Sequence, residues 1–235
     1  MFLNEYYSES DTGIQFTREQ ASKFAKSIAG DFNPLHDPDN KMFCVPGDLL
    51  FSVALCKLGL SKQMKFTFSG MVNDTVTIEF NKSDENSIEV ADKEGKSYLS
   101  IARSGDSSQN ETAITSLAKG YVEFSGKTFP HILVPLMQDE GLMINPSRPL
   151  VIYESMEIDL NRLDITCPKL ELTETSFEVK GKKGRVKLGF SITQDGEPIG
   201  NGIKYMSLRG LKPYIQEEID AVVNDYLVRK ESFSS

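Results

Sequence analysis

A short segment near the end of the first fifth of the chain, residues 48–59, is apolar on nearly every side of a helix. Its apolar residues are Leu49, Leu50, Phe51, Val53, Ala54, Leu55 and Leu58. A helix without a polar face must be enclosed, and this one is far shorter than the roughly 20 residues that cross a bilayer. We therefore expect a fold that surrounds a buried helix, with Asp48 as its N-cap and Gly59 as its stop.

After this helix the sequence changes to the alternation of apolar and polar residues that is typical of half-buried strands. The alternating segments are 76–80, 88–90 and 99–101. A second apolar segment, 132–143, is again followed by predicted strands, which are 151–158, 170–179, 186–192 and 203–208. The repeated order predicts an α+β fold with two antiparallel sheets, each wrapped around a central helix. A single α+β domain with one larger sheet is the alternative.

Further elements are predicted in the first half of the chain. Thr17 and Gln20 form a capping box, which starts a helix that ends at Gly30. The polar segment 103–112 has no apolar anchor and predicts a long loop. Residues 121–124 then predict a strand that closes this half.

The repeated order also sets the predicted domain organisation. We place one unit at residues 1–128 and a second at 129–235. A closing helix starts at Pro213, with acidic residues in its first turns and basic residues at its end, as the helix dipole favours. The second unit is expected to be a non-catalytic partner of the first.

Charge excludes some classes of partner. The formal net charge is −8, with a pI near 5.0, so the chain lacks the positive field that sequence-independent nucleic-acid binding needs. The first residues lack the basic start and apolar run of a signal peptide. We therefore expect a cytoplasmic protein that binds neither nucleic acid nor membrane.

Cysteine and histidine counts limit the chemistry. Cys44, Cys56 and Cys167 are too few for a disulfide framework and lack the ligand spacing of a zinc site, so no metal is expected. Only two histidines, His36 and His131, are present. Any histidine-dependent reaction must use one of them.

A turn-rich loop after the first helix contains a candidate catalytic pair. Asp31 and His36 are five residues apart in a loop restrained by Pro34, and Asn33 can bond to its own backbone and tighten the turn. A carboxylate and an imidazole on one rigid loop can hold a water molecule, from which Asp31 takes a proton. Amide N–H groups near Gly47, at the start of the enclosed helix, could polarise a carbonyl oxygen.

The motif Ala29-Gly30-Asp31-Phe32-Asn33-Pro34-Leu35-His36, between a capped helix and an apolar one, resembles the signature of MaoC-like hydratases. These are (R)-specific enoyl-thioester hydratases and related dehydratases of the hotdog fold. The resemblance implies a double hotdog, a catalytic Asp31–His36 pair and a supporting Asn33. It further implies an acyl thioester of coenzyme A or acyl carrier protein as substrate, without a cofactor. The whole chain also resembles a small bacterial family of double-hotdog proteins with no known activity.

The helix start departs from the MaoC pattern. That pattern continues into Ile-x-His-Gly-Met, whereas here the enclosed helix opens with Val45-Pro46-Gly47-Asp48, which lacks the second histidine. Pro46 removes one N–H, and Asp48 places a carboxylate where an oxyanion should lie. We expect Asn33, Gly47, Asp48 and Phe43 to contact the substrate, with Phe43 lining an acyl tunnel.

Three hypotheses for the function follow. The first is hydration of an enoyl thioester and dehydration of a 3-hydroxyacyl thioester, with Asp31 as the base and His36 orienting and protonating. The alternative is a non-catalytic hotdog protein that binds an acyl thioester or another small apolar ligand. A third is a scaffold whose sheet edges mediate assembly, for which neither Asp31 nor His36 is needed. Either a monomer or a homodimer is compatible with two hotdogs in one chain.

Overall fold

The computed structural model describes residues 2–234 and shows five α-helices among them. Their bounds are α1 Arg18–Phe24, α2 Gly47–Leu58, α3 Glu111–Gly126, α4 Leu133–Asp139 and α5 Gln216–Ser234. A π-helical segment, Ala25–Ala29, extends α1, and a short 3₁₀ helix covers Pro34–His36. In this described part, no helix combines the length and apolar content that crossing a membrane requires.

Eight of the strands form one antiparallel sheet in the order β4-β5-β6-β3-β8-β11-β10-β9. The short strands outside it are β1 Ser8–Ser10, β2 Gly13–Gln15, β7 Leu142–Met143 and β12 Lys212–Pro213. The strands of the large sheet are β3 Leu60–Phe68, β4 Glu79–Lys82, β5 Ser87–Ala91, β6 Ser97–Ser108, β8 Leu150–Leu160, β9 Lys169–Lys180, β10 Lys183–Gln194 and β11 Glu197–Arg209.

The α+β hotdog fold is as predicted, but the two predicted sheets are joined into one, because β3 and β8 pair directly. Their register runs from Gln63 opposite Asp159 to Thr67 opposite Ser155, so the strands of both halves share one ladder of hydrogen bonds. The division into units 1–128 and 129–235 stays a prediction. Both predicted units contribute strands to this one sheet.

The enclosed helix is confirmed. α2 begins at Gly47 and ends before Gly59, and its residues from Asp48 to Leu55 are buried. Phe51 packs edge-on against Phe66 of β3, with ring centroids 5.0 Å apart. Register shifts between β3 and β6, between β5 and β6 and between the strands of the second half bend the sheet. A bent antiparallel sheet packed on a buried helix gives an α+β hotdog fold.

Two predictions between the halves are wrong. Residues 103–108 continue β6 rather than forming a loop, with Ser108 paired to Leu60 at the far end of β3. Residues 121–124 belong to α3, not to a strand. The Asn110 side chain caps α3 by accepting from Ala113 N at 3.0 Å, and the helix then buries a helical stripe against α2.

The first helix has the predicted capping box, since Thr17 and Gln20 bond reciprocally at its start. Its last turn widens into the π-helical segment, which ends at Gly30 in a left-handed conformation with φ of 64°. Glycine adopts this conformation at little energetic expense. The chain therefore turns sharply at the end of the helix, and the half-buried Asp31 follows directly.

Predictions for the second half hold, with corrected bounds. The four strands at 151–208 are confirmed as β8 to β11, and the segment 132–143 is α4 followed by β7. A second group of buried apolar residues, including Met137, Val186 and Leu208, lies between α4, α5 and this part of the sheet. The closing helix, α5, begins at Gln216, three residues after Pro213.

Gly126, the last residue of α3, lies against the end of the π-helical segment. A Cβ atom there would be 1.6 Å from the carbonyl oxygen of Ala29. We expect Gly126→Ala to lower the free energy of unfolding by about 2–4 kcal/mol, since backbone must move to relieve the clash. Urea unfolding measures this loss. Gly120→Ala in the same helix is the control, because its Cβ meets nothing closer than 3.3 Å; equal losses would contradict the packing described.

Candidate active site

A cavity of about 490 Å³ lies between the Asp31–His36 loop, the start of α2, the sheet and α5. Its walls include Asp31, Asn33, His36, Gly47 and Asp48 from the first half of the chain. The second half contributes residues of β8, β11 and α5. The cavity has the size of a site for a small organic ligand. Five of the six residues predicted for the site line it, and Phe43 does not.

The predicted catalytic pair meets on the cavity wall. His36 Nε2 lies 3.8 Å from Asp31 Oδ2, and His36 Nδ1 lies 2.8 Å from the carbonyl oxygen of Cys44. A carbonyl oxygen only accepts, so Nδ1 carries a hydrogen and Nε2 faces Asp31. The imidazole is therefore held in one orientation by a backbone contact on its opposite edge.

Local hydrogen bonds make the loop rigid. Asp31 Oδ1 accepts from Asn33 N at 2.9 Å, and Asn33 Oδ1 accepts from Leu35 N at 3.1 Å. Both are short-range bonds of the kind that aspartate and asparagine form in turns. Asn33 lines the cavity, and its side-chain oxygen caps the 3₁₀ helix, as the predicted supporting role requires.

Opposing effects act on the pKa of His36. Burial alone would lower it, but the hydrogen bond with Cys44 and the negative charge of Asp31 outweigh burial and raise the pKa to about 9. His36 is therefore cationic at neutral pH. The pair consists of an imidazolium and a half-buried carboxylate, which is the arrangement of an acid beside a base.

The start of α2 differs from the prediction. Pro46, not Asp48, is the N-cap, and Asp48 is the second residue of the helix. The amide groups of Gly47 and Asp48 open the helix and have no carbonyl partner within it. Gly47 lies against the ring of Tyr153, where a Cβ would be 2.6 Å from a ring carbon. Glycine thus lets β8 approach the helix start.

The Asp48 side chain belongs to a buried polar chain instead of capping the helix. Ser125 Oγ of α3 donates to Asp48 Oδ2 at 2.6 Å, and Lys204 Nζ of β11 donates to Ser125 Oγ at 2.5 Å. All three residues line the cavity. Burial raises the pKa of Asp48 against the opposing charge of Lys204, and burial lowers the pKa of Lys204.

Two tyrosines border this chain. The hydroxyl groups of Tyr121 and Tyr153 are hydrogen-bonded to each other, and burial raises both pKa values well above the usual range. Lys204 Nζ lies 4.4 Å from the centre of the Tyr153 ring, a cation–π contact. The amino group of Lys204 thus contacts the Tyr153 ring and the Ser125 hydroxyl group.

Sequence reasoning missed Ser125 and Lys204. Ser125 lies in α3, which was predicted as a loop and a strand. Lys204 lies in a segment that was predicted as a strand, and it shares the buried face of β11 with Met206 and Leu208. A lysine in the inward register of a predicted strand was the available signal.

Three other predicted residues have different outcomes. Phe43 is buried but does not line the cavity; its ring lies under the guanidinium group of Arg18, 5.0 Å away. Its predicted place in an acyl tunnel is therefore wrong, because α1 draws it into the core. Cys44 is buried, with Sγ 3.9 Å from His36 Nδ1. His131 is exposed before α4, as a non-catalytic histidine would be.

The closing helix holds the candidate loop in place. Tyr226 donates to the carbonyl oxygen of Gly30 at 3.1 Å, and its ring packs edge-on against Phe32. Arg229 Nη1 lies 2.5 Å from Asp37, which also pairs with Lys26 at 2.9 Å. Contacts at both ends of the loop thus come from α5.

A protein-family model described as "Protein of unknown function (DUF3581)" matches residues 1–217. The chain belongs to this family. The match spans the candidate loop, α2, Ser125 and Lys204 but ends as α5 begins. No curated protein matches this DUF3581 chain.

Several solved structures resemble the DUF3581 chain at low identity. A hot dog fold protein from Alicyclobacillus acidocaldarius is 8% identical, with TM-score 0.48, over 91% of this chain and 99% of the other. A MaoC-like dehydratase is 10% identical, with TM-score 0.44, over 87% and 98%. The acyl-CoA thioesterase II TesB2 from Mycobacterium marinum is 10% identical, with TM-score 0.41, over 72% and 91%. These similarities do not select an activity.

We expect an NMR titration of the His36 ring to give a pKa of about 9. Asp31→Asn should lower this pKa, because it removes the neighbouring negative charge. The pKa of His36 in the folded protein lies above its ordinary value of 6.5. Protonation of His36 therefore stabilises the fold. This contribution is fully present below pH 6.5 and is lost as the pH rises through about 9.

His131→Gln identifies the His36 resonance, because the chain has only two histidines. An unchanged or higher His36 pKa in the Asp31→Asn protein would show that Asp31 does not act on the imidazole.

Proposed function

We propose that this protein hydrates a trans-2-enoyl thioester and dehydrates the corresponding 3-hydroxyacyl thioester. One observation carries the proposal: Asp31 and His36 face each other, 3.8 Å apart, on the wall of a cavity that also contains the opening residues of α2. A base, an acid and backbone N–H donors are the groups that addition of water to a conjugated thioester requires.

Each group has one role in the proposed reaction. The Asp31 carboxylate takes a proton from water as the oxygen adds to C3 of the enoyl group. The amide groups of Gly47 and Asp48 stabilise the negative charge that develops on the thioester oxygen. His36 gives a proton to C2, and the proton held by Asp31 returns to His36. Water is consumed, and no cofactor is needed.

The cavity supports a thioester of moderate size. Its volume of about 490 Å³ lies within the usual range for sites that enclose small ligands. Apolar residues such as Leu50, Phe68 and Val72 line its walls, which suits an acyl chain. Coenzyme A and acyl carrier protein are both proposed carriers, and the protein acts as a monomer or homodimer in the cytoplasm.

The Asp48 side chain favours a second candidate, binding of a thioester or another small ligand without turnover. Asp48 stands at the helix start, beside the amide groups that would receive the thioester oxygen. A carboxylate close to a developing oxyanion opposes its formation when Asp48 is ionised. The two candidates differ in whether product forms from the bound ligand.

We expect Asp31→Asn to lower kcat for hydration of trans-2-enoyl-CoA substrates by about 100-fold or more, because the general base is lost. Loss of enoyl absorbance measures the rate, and thermal unfolding confirms that the variant is folded. Asp39→Asn is the matched control, since Asp39 is exposed on the same loop and should leave kcat unchanged.

Wild-type protein without turnover on any enoyl-CoA of short to medium chain length would overturn the hydratase proposal. A rise in melting temperature with the same substrates, without product, would select the binding candidate.

A further inference from the structure

The cavity wall carries a buried side-chain cluster that the proposed hydration does not use. It consists of Asp48, Ser125 and Lys204, which are 8%, 4% and 5% exposed. Met71, which is 41% exposed, lines the same cavity. The cavity therefore has a solvent-exposed part as well as this buried cluster.

The cluster has one unsatisfied atom. Asp48 Oδ2 accepts from Ser125, but Asp48 Oδ1 is buried and has no hydrogen-bond partner among the residues that the structure describes. A buried acceptor without a donor destabilises a fold, and apolar residues of similar volume usually replace a buried ion pair without loss of stability. Stability alone therefore does not account for these charges in the cavity wall.

We propose that the Asp48–Ser125–Lys204 cluster is a recognition site for the hydroxyl or amide N–H group of a neutral ligand with an apolar body. The direction of the hydrogen bonds supports this choice. Lys204 donates to Ser125 and Ser125 donates to Asp48, so the missing component is a donor for Asp48 Oδ1. Asp48 lines the cavity, so a ligand bound there is the proposed source of this donor.

Charge balance favours a neutral ligand. Asp31 and Asp48 interact with His36 and Lys204. The two other acidic residues of the cavity wall, Glu218 and Asp225, already pair with Lys212 and Arg229. An added ion would lack a counterion there, and burial of an unpaired charge is unfavourable. A hydroxyl or amide group adds a hydrogen bond without adding charge.

The site disfavours a plain hydrocarbon end. An alkyl group placed against Asp48 would leave Oδ1 unpaired, whereas the Tyr153 ring, stacked on Phe68 with centroids 4.4 Å apart, provides apolar surface beside the cluster. A ligand with an alkyl body and a donor at one end satisfies both surfaces. This recognition does not depend on turnover by Asp31 and His36.

Hexanol and hexyl fluoride test the proposal, because they have similar size but only hexanol donates a hydrogen bond. Dissociation constants are measured by NMR titration of wild-type protein and of the Asp48→Leu/Lys204→Met double variant. The Kd of hexyl fluoride divided by the Kd of hexanol should be at least about ten-fold lower in the double variant than in wild-type protein. This change corresponds to about 1.4 kcal/mol. Val222→Ala, an apolar change in the cavity wall, should affect both probes alike.

Folding of the double variant is checked by its melting temperature, which should be unchanged or raised. In wild-type protein, independently of any variant, hexanol should shift the backbone amide resonances of Asp48 and Ser125 more than hexyl fluoride does. Equal ratios in both proteins, or no response of these amides to hexanol, would overturn the proposed recognition site. Enoyl-CoA turnover is measured separately, so its absence would affect only the hydratase proposal.

Discussion

The close approach of α3 to the end of the first helix determines where the candidate site forms. Gly126 lies against the carbonyl oxygen of Ala29. Residues next to this contact in both segments line the cavity: Asp31 lies two residues after Ala29, and Ser125 immediately precedes Gly126. A bulkier side chain at the contact would separate the Asp31–His36 pair from the buried polar chain, so the candidate site depends on a backbone packing constraint.

Asp31, His36, Asp48 and Lys204 form two pairs of acidic and basic residues on the cavity wall, in a chain whose net charge is −8. Their signs balance locally, and each pair is mediated differently. Asp31 and His36 face each other directly, 3.8 Å apart. Asp48 and Lys204 are instead connected through Ser125 by two short hydrogen bonds. The first pair suits proton transfer and the second suits recognition. Overall charge therefore says little about what this interior binds.

The sequence was sufficient where local signals were strong. The capping box at Thr17, the enclosed helix and the Asp31–His36 loop were all predicted, because caps, turn residues and period are local properties. α3 was missed although Asn110 and the apolar positions of Leu117 and Tyr121 have helical spacing. The β3–β8 pairing and the Lys204–Ser125 contact depend on residues far apart in the chain, which no local pattern specifies.

A crystal structure of the Asp31→Asn protein with a trans-2-enoyl thioester of N-acetylcysteamine tests the central claim most directly. Loss of the base should leave the substrate bound and unreacted. The account predicts enoyl C3 between position 31 and the His36 ring, with the thioester oxygen at the amide groups of Gly47 and Asp48. A thioester bound outside this cavity, or with its oxygen directed away from α2, would contradict it.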